Sequence, residues 1–220
     1  MRFVPVIAAA AFAAALVLQP AAHAAAPSAE RARVPFEQPS ELVQSVANDI
    51  LKALNGQRAE LRAHPQQIRA IIEKYLLPHF DADLAADGVL GRFAKSATKE
   101  EKARFVQAFK DSLIKNYGAF IVDFHSNMLT VYPTHVRPGT PAAVVRTYFT
   151  RADGSKVPVF FDLYMTPSGE WKVFNLSVEG VSYVQSYRAD LGPQIEQYGL
   201  PAVIKRLEQG ETPAAIKKKN

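Results

Sequence analysis

Residues 157–190 read VPVFFDLYMTPSGEWKVFNLSVEGVSYVQSYRAD. Val159, Phe161, Leu163 and Met165 alternate along one face of a strand, while Phe160 and Tyr164 put rings on the other face beside Asp162. A strand with large side chains on both faces meets protein or ligand on both, not open water. Pro167-Ser168-Gly169 has the composition of a tight turn, and a second alternating run follows from Glu170 to Val178. Glu179-Gly180 ends that run, and from Ser182 the period becomes helical through Val184, Tyr187, Leu191, Ile195 and Tyr198. Two strands joined by a turn, then a helix, point to antiparallel pairing and not to a βαβ crossover.

Outward from that stretch the pattern repeats. Met128 to Val136 and Ala143 to Arg151 read as two further strands, with Asp153-Gly154 as the turn into the Val157–Met165 strand. Upstream, Thr98 and Glu101 have capping-box spacing and open the longest periodic segment, predicted to be helical to His125 with a bend at Gly118. Phe105, Phe109, Leu113, Tyr117, Phe120 and Phe124 form its apolar stripe, widened by Val106, Ile114 and Ile121. Lys99, Arg104, Lys110, Asp111 and Lys115 are assigned to the opposite side. Ser40 is expected to cap a helix carrying Leu42, Val43, Val46, Ile50, Leu51 and Leu54, ending at Asn55-Gly56. Pro65 opens another helix, with Ile68, Ile71, Ile72, Tyr75 and Leu76 inward and Pro78 as its stop. Beyond Gly199, Pro201 starts a last short helix through Val203, Ile204 and Leu207. The fold class is α+β: helices, a four-stranded antiparallel sheet, then helices packing back.

The ends of the chain carry a different message. Met1-Arg2 precedes an apolar, alanine-rich run from Val4 to Leu18, and Ala22-His23-Ala24 has the small-x-small form of a cleavage site. Residues 1–25 therefore read as a cleavable export signal, 26–39 as a lead-in, 40–210 as one domain and 211–220 as a basic tail. The chain contains no cysteine, which excludes disulfides, thiol catalysis, thiolate-bound metal and an acylated N-terminal cysteine. An exported chain of this kind points to the bacterial periplasm. Its formal net charge of +5 suits an anionic lipid or acidic partner, and export leaves no nucleic acid to bind.

Catalytic patterns are weak. Ser182 sits where a strand turns into a helix, but Gly180-Val181-Ser182-Tyr183-Val184 lacks the second glycine of a nucleophile elbow, and no histidine follows His135. His79-Phe80-Asp81-Ala82-Asp83 alternates ligand types, yet Asp81 is more simply a helix cap; His64, His125 and His135 form no cluster in the sequence. Asp162 could serve as a base in a small conical α+β enzyme, with Arg146 as the blander cross-strand partner. Glu179 is expected to cap the following helix or to pair with Arg188. A non-catalytic adaptor of the envelope is a third reading.

Three stretches carry a family resemblance: Val89-Leu90-Gly91-Arg92-Phe93 with Ser96-Ala97-Thr98; the aromatic helix near Tyr117-Gly118; and Trp171-Lys172-Val173 followed by Glu179-Gly180-Val181-Ser182 and Tyr187-Arg188. In order and spacing the chain resembles the MlaC, or toluene-tolerance, family of periplasmic phospholipid shuttles, from about Ser40 to Leu207. Relatives commonly carry Tyr or Trp at Phe93 and often Tyr-Asp at Phe174-Asn175. The resemblance implies a curved sheet with helices around the acyl chains of one phospholipid, the head group staying near solvent. It implies no catalytic residues and no cofactor, with phospholipid as cargo and a monomeric chain. It also implies two docking partners: an inner-membrane ABC-transporter complex with an MCE-domain subunit, and an outer-membrane lipoprotein–porin complex. Exposing some 30 methylenes of two chains costs on the order of 20 kcal/mol, so lipid crosses water only inside a carrier. On that reading Phe105, Phe109, Tyr117, Phe120, Phe161, Leu163 and Val181 are expected to form the pocket wall, with Ser182 near its mouth.

Overall fold

The computed structural model describes residues 38–137 and 139–211. The expected export signal, most of the lead-in and the tail from 212 lie outside the described residues.

Helix α1 spans Pro39–Leu54 and buries Leu42, Val43, Ala47, Ile50 and Leu54. It begins earlier than a Ser40 cap would allow. Proline at the first helical position needs no N–H partner, and the Ser40 hydroxyl instead accepts from the Thr134 N–H at 3.1 Å. Gln38 does the same for Val136 N–H at 3.1 Å. These bonds explain a second difference. The expected strand from Met128 to Val136 is only Leu129–Val131 (β1), because Pro133 cannot continue a ladder and the next amides turn to the start of α1.

Short helices α2 (Arg58–Ala63) and α3 (Gln66–Ile71) follow, then a π-helical turn at Ile72–Leu76 and a 3-10 turn at Leu77–His79. Asp81 caps α4 (Ala82–Leu90), accepting from the Leu84 N–H at 2.8 Å, as its sequence position suggested. Helix α5 (Lys99–Val122) opens on the complete Thr98–Glu101 capping box. It stops at Val122 and not at His125, where the Arg58 guanidinium donates to the carbonyls of Val122 and Phe124. Gly118 lies within the continuous helix and faces Ile68 and Ile72, each 3.5 Å from where its Cβ would be.

Strands β2 (Ala142–Thr150), β3 (Lys156–Met165), β4 (Trp171–Val178) and β5 (Val181–Ser182) complete an antiparallel meander in the order β1-β2-β3-β4-β5. Five strands thus replace the expected four. Glu179-Gly180 is a two-residue hairpin with both φ angles positive, 51° and 80°, and so folds Val181 and Ser182 back onto β4. Glu179 neither caps the next helix nor meets Arg188; its carboxylate is 3.8 Å from Arg151. Helices α6 (Tyr183–Tyr198) and α7 (Leu200–Glu208) close the fold. Arg188 lies across the end of α4, donating to the Gly88 carbonyl at 2.6 Å. A Cβ at Gly88 would stand 2.8 Å from Val184, and one at Gly91 would stand 3.1 Å from Arg188, so the α4–α6 contact requires both glycines.

Buried side chains fall into three clusters. One joins α4, α6 and α7 to the first half of α5, through Phe105, Phe109, Tyr187 and Ile204. A second joins the end of α1 to α2, α3 and the end of α5, through Leu54, Leu61, Ile68 and Val122. The third sets the start of α1 on the sheet, through Leu42, Val145, Leu163 and Trp171.

Glu179 occupies a left-handed position that favours Asn or Gly, and its exposed ion pair contributes little. Glu179→Asn is expected to stabilise the protein by about 0.5 kcal/mol, read as a higher urea midpoint. A lower midpoint would show that the carboxylate matters more than the backbone.

Candidate functional site

Between the three clusters lies a cavity of about 440 Å³. Helix α1 supplies Leu42, Val43, Val46, Ala47 and Ile50, and the π and 3-10 turns supply Ile72, Leu76, Leu77 and His79, with Phe80 following. Helix α5 contributes Phe109, Lys110, Leu113, Ile114, Tyr117, Phe120 and Ile121, and Phe124 follows just beyond its end. The sheet adds Leu129, Phe149, Val159, Phe161, Val173, Phe174, Asn175 and Leu176, and Tyr183 and Val184 close one end. Along α5 the wall runs from Phe109 to Ile121, roughly 18 Å at 1.5 Å per residue. A larger groove of about 560 Å³ crosses Tyr132, Val144, Arg146 and Tyr148, but it is open and mixed in polarity. The cavity between α5 and the sheet is the one with an apolar wall, and it is the better ligand site.

Of the residues expected to line a pocket, Phe109, Tyr117, Phe120 and Phe161 come together on this wall. Phe120 is 60% exposed, at the cavity's edge. The others lie elsewhere. Phe105 is fully buried in the first cluster, stacked on Phe109 with ring centroids 6.2 Å apart. Leu163 is fully buried where α1 closes on the sheet, in the cluster against which Phe161 is only partly buried, and it is not on the cavity wall. Val181 is 44% exposed, because the hairpin points adjacent residues to opposite faces and it is Ser182 that meets Asn175. Lys110, assigned by its charge to the polar side of α5, is half-buried in the wall.

Ser182 is fixed as a structural residue. Its Oγ accepts from the Gln185 N–H at 3.2 Å, capping α6, and donates to Asn175 Oδ1 at 3.0 Å. Asn175, itself buried, also accepts from the Val184 N–H at 3.2 Å and donates to Asp162 Oδ2 at 2.6 Å. Asp162 therefore pairs with Asn175; its neighbour across β2 is Val144, and Arg146 is opposite Phe160. This relay pins the strand-to-helix turn to the sheet. No group of three or more His, Cys, Asp or Glu that could hold a metal occurs among the described residues.

Four phenols, two of them on the cavity wall, have raised pKa values. Tyr117 meets Tyr183 edge-on with centroids 5.0 Å apart, and its buried hydroxyl has no hydrogen-bond partner among the described residues. Burial pushes the pKa of Tyr117, Tyr183 and Tyr187 up, Tyr187 being held by Ser112 and Asn116. Tyr164 is pushed up to about 12, first by its hydrogen bond to Asp81.

Residues 44–209 match the family model described as MlaC protein. The chain belongs to the MlaC family. Toluene tolerance protein Ttg2D of Pseudomonas putida is 26% identical to it over 167 residues, 76% of this chain and 77% of that protein. The intermembrane phospholipid transport system binding protein MlaC of Haemophilus influenzae is 20% identical over 188 residues, 84% of this chain and 88% of that one. A phospholipid-binding protein from Ralstonia solanacearum, solved in complex with a phospholipid, shares the fold with a TM-score of 0.72 at 21% identity, covering 82% of this chain and 99% of the other. Residues that carry the family resemblance have structural roles here: Gly91 admits Arg188 of α6, Arg188 crosses the end of α4, and Ser182 caps the turn. The additional wall residues of α1 and β4 lie in ordinary amphipathic patterns, which do not separate core from cavity.

A buried phenol with a raised pKa keeps its proton where the unfolded chain has lost it. Its contribution to stability is intact below about pH 10 and is lost as pH rises through the folded-state value. The melting temperature of wild type is expected to fall above about pH 10, and Tyr117→Phe to flatten that fall. At neutral pH the same change is expected to shift stability by less than about 1 kcal/mol, since the hydroxyl has no partner to lose. An unchanged alkaline slope in the variant would contradict the assignment.

Proposed function

We propose that this chain is a non-enzymatic phospholipid carrier of the cell envelope, with the cavity between α5 and the sheet as its acyl-chain site. The observation that carries the reading is the cavity wall: three apolar clusters converge on one space with an apolar lining about as long as an extended acyl chain. Membership of the MlaC family and a shared fold with a phospholipid-binding protein support it. The carrier works in the periplasm, between an inner-membrane ABC-transporter complex with an MCE-domain subunit and an outer-membrane lipoprotein–porin complex. Among the described residues no helix is long and apolar enough to cross a membrane. The enzyme alternative loses its support, because Asp162 is tied to Asn175 and is not on the cavity wall.

The wall comprises Phe109, Tyr117, Phe120 and Phe161 with Leu113, Ile114 and the facing residues of α1. Phe161→Glu places in that wall a carboxylate whose ionisation there costs several kcal/mol, and water must enter to solvate it. Protein purified with this change is expected to keep its far-ultraviolet circular dichroism and to lose at least about four-fifths of its extractable phospholipid. Val181→Glu, at an exposed hairpin position, is expected to retain wild-type lipid, as is Ser182→Ala, which loses about 1 kcal/mol of helix capping. A folded, lipid-loaded Phe161→Glu protein would overturn the placement of the site.

A further inference from the structure

The wall of the cavity contains one permanently charged side chain among its described residues, Lys110. Its position is set by helix geometry. At 100° per residue it lies within the arc of Leu113, Ile114, Tyr117 and Ile121, all of which line the same cavity. The adjacent acid does not neutralise it: Asp111, turned about 100° away around the helix, is 2.7 Å from Arg69 and 3.1 Å from the Gln107 amide.

The other basic side chains in the body of α5 are engaged. Lys102 reaches Asp87 at 3.0 Å, Arg104 pairs with Glu208 at 2.9 Å, and Lys115 donates to the Gly210 carbonyl at 3.0 Å. Lys110 is half-buried, and no acid or carbonyl among the described residues is its partner. A half-buried lysine on an apolar wall lays its stem along that wall and carries its ammonium to the wall's edge, where an anionic group of a bound molecule can meet it. His79 is a second nitrogen-bearing side chain on the same wall.

We propose that Lys110 is the residue that reads the phosphate of the cargo, its ammonium pairing with the phosphodiester while the acyl chains fill the apolar length beyond. This rests on the carrier reading and deepens it. The substrate class is then a lipid with an anionic phosphate beneath its head group, and the acyl chains alone do not suffice. Selection acts at the phosphate, which all glycerophospholipids share, so lipids with different head groups are accepted alike. A lipid lacking phosphate forgoes this charge-assisted contact and is discriminated against.

The test is a competition. The exported protein is incubated with vesicles containing phosphatidylglycerol and diacylglycerol of identical acyl chains, re-isolated, and its extract quantified by mass spectrometry. Wild type is expected to prefer phosphatidylglycerol by about tenfold, the worth of one charge-assisted contact. Lys110→Met, which keeps the length and apolar stem, is expected to lose that preference while still taking up diacylglycerol. Lys110→Arg is expected to keep it. A Lys110→Met protein with undiminished preference would overturn the phosphate role and leave the carrier reading standing. Wild type that takes up neither lipid would overturn both. Inorganic phosphate alone is expected to leave the melting temperature of the extracted protein unchanged; a rise specific to phosphate over chloride, lost in Lys110→Met, would show a free-anion site and overturn the lipid assignment.

Discussion

The structure depends on the failure of three apolar clusters to merge. An ordinary domain of this size packs around one contiguous core. Here the α4–α5–α6–α7 cluster, the α1–α2–α3 cluster and the α1–sheet cluster each bury their own set, and their remaining apolar faces converge on the same space. If that 440 Å³ were closed and left empty, the penalty at about 24 cal/mol per Å³ would be on the order of 10 kcal/mol. That is comparable with the whole stability of a typical domain, which supports the proposal that the wall meets an apolar occupant.

Keeping such a space open requires that the walls be held from outside it. The turn from β4 into α6 is fixed by the Asp162–Asn175–Ser182 relay, with the Glu179-Gly180 hairpin setting its direction. Asparagine suits the centre of this relay because its amide can donate to Asp162 while its carbonyl accepts from Ser182 and from the Val184 N–H. The glycines at 88 and 91 bring α4 against α6, and Arg188 crosses the junction. The start of α1 is tied to the segment after β1 through Gln38 and Ser40.

Much of this fold is legible in the sequence. The capping box at Thr98, the turns at Asp153-Gly154 and Pro167-Ser168-Gly169 and the alternation of β2, β3 and β4 are local signals, and each element forms where its signal lies. The differences arise where a distant group decides. Arg58 ends α5 early, Ser40 and Gln38 draw the chain away from β1, and the hairpin at Glu179 creates β5. The site was less legible for a physical reason. Phe105 and Phe109 occupy the same helical stripe one turn apart, yet the first is sealed under the neighbouring helices and the second faces the cavity. Periodicity reports which face is apolar, not whether that face is covered. Lys110 shows the converse, since charge suggested the solvent side and helical angle places it in the wall.

The central claim is that an acyl chain occupies the space between α5 and the sheet. A crystal structure of the protein purified without solvent extraction tests it most directly. Continuous chain density is expected against Leu113, Ile114 and Phe161, with a phosphate at Lys110. A cavity holding only ordered water, or one closed by inward rotation of the wall side chains, would contradict it.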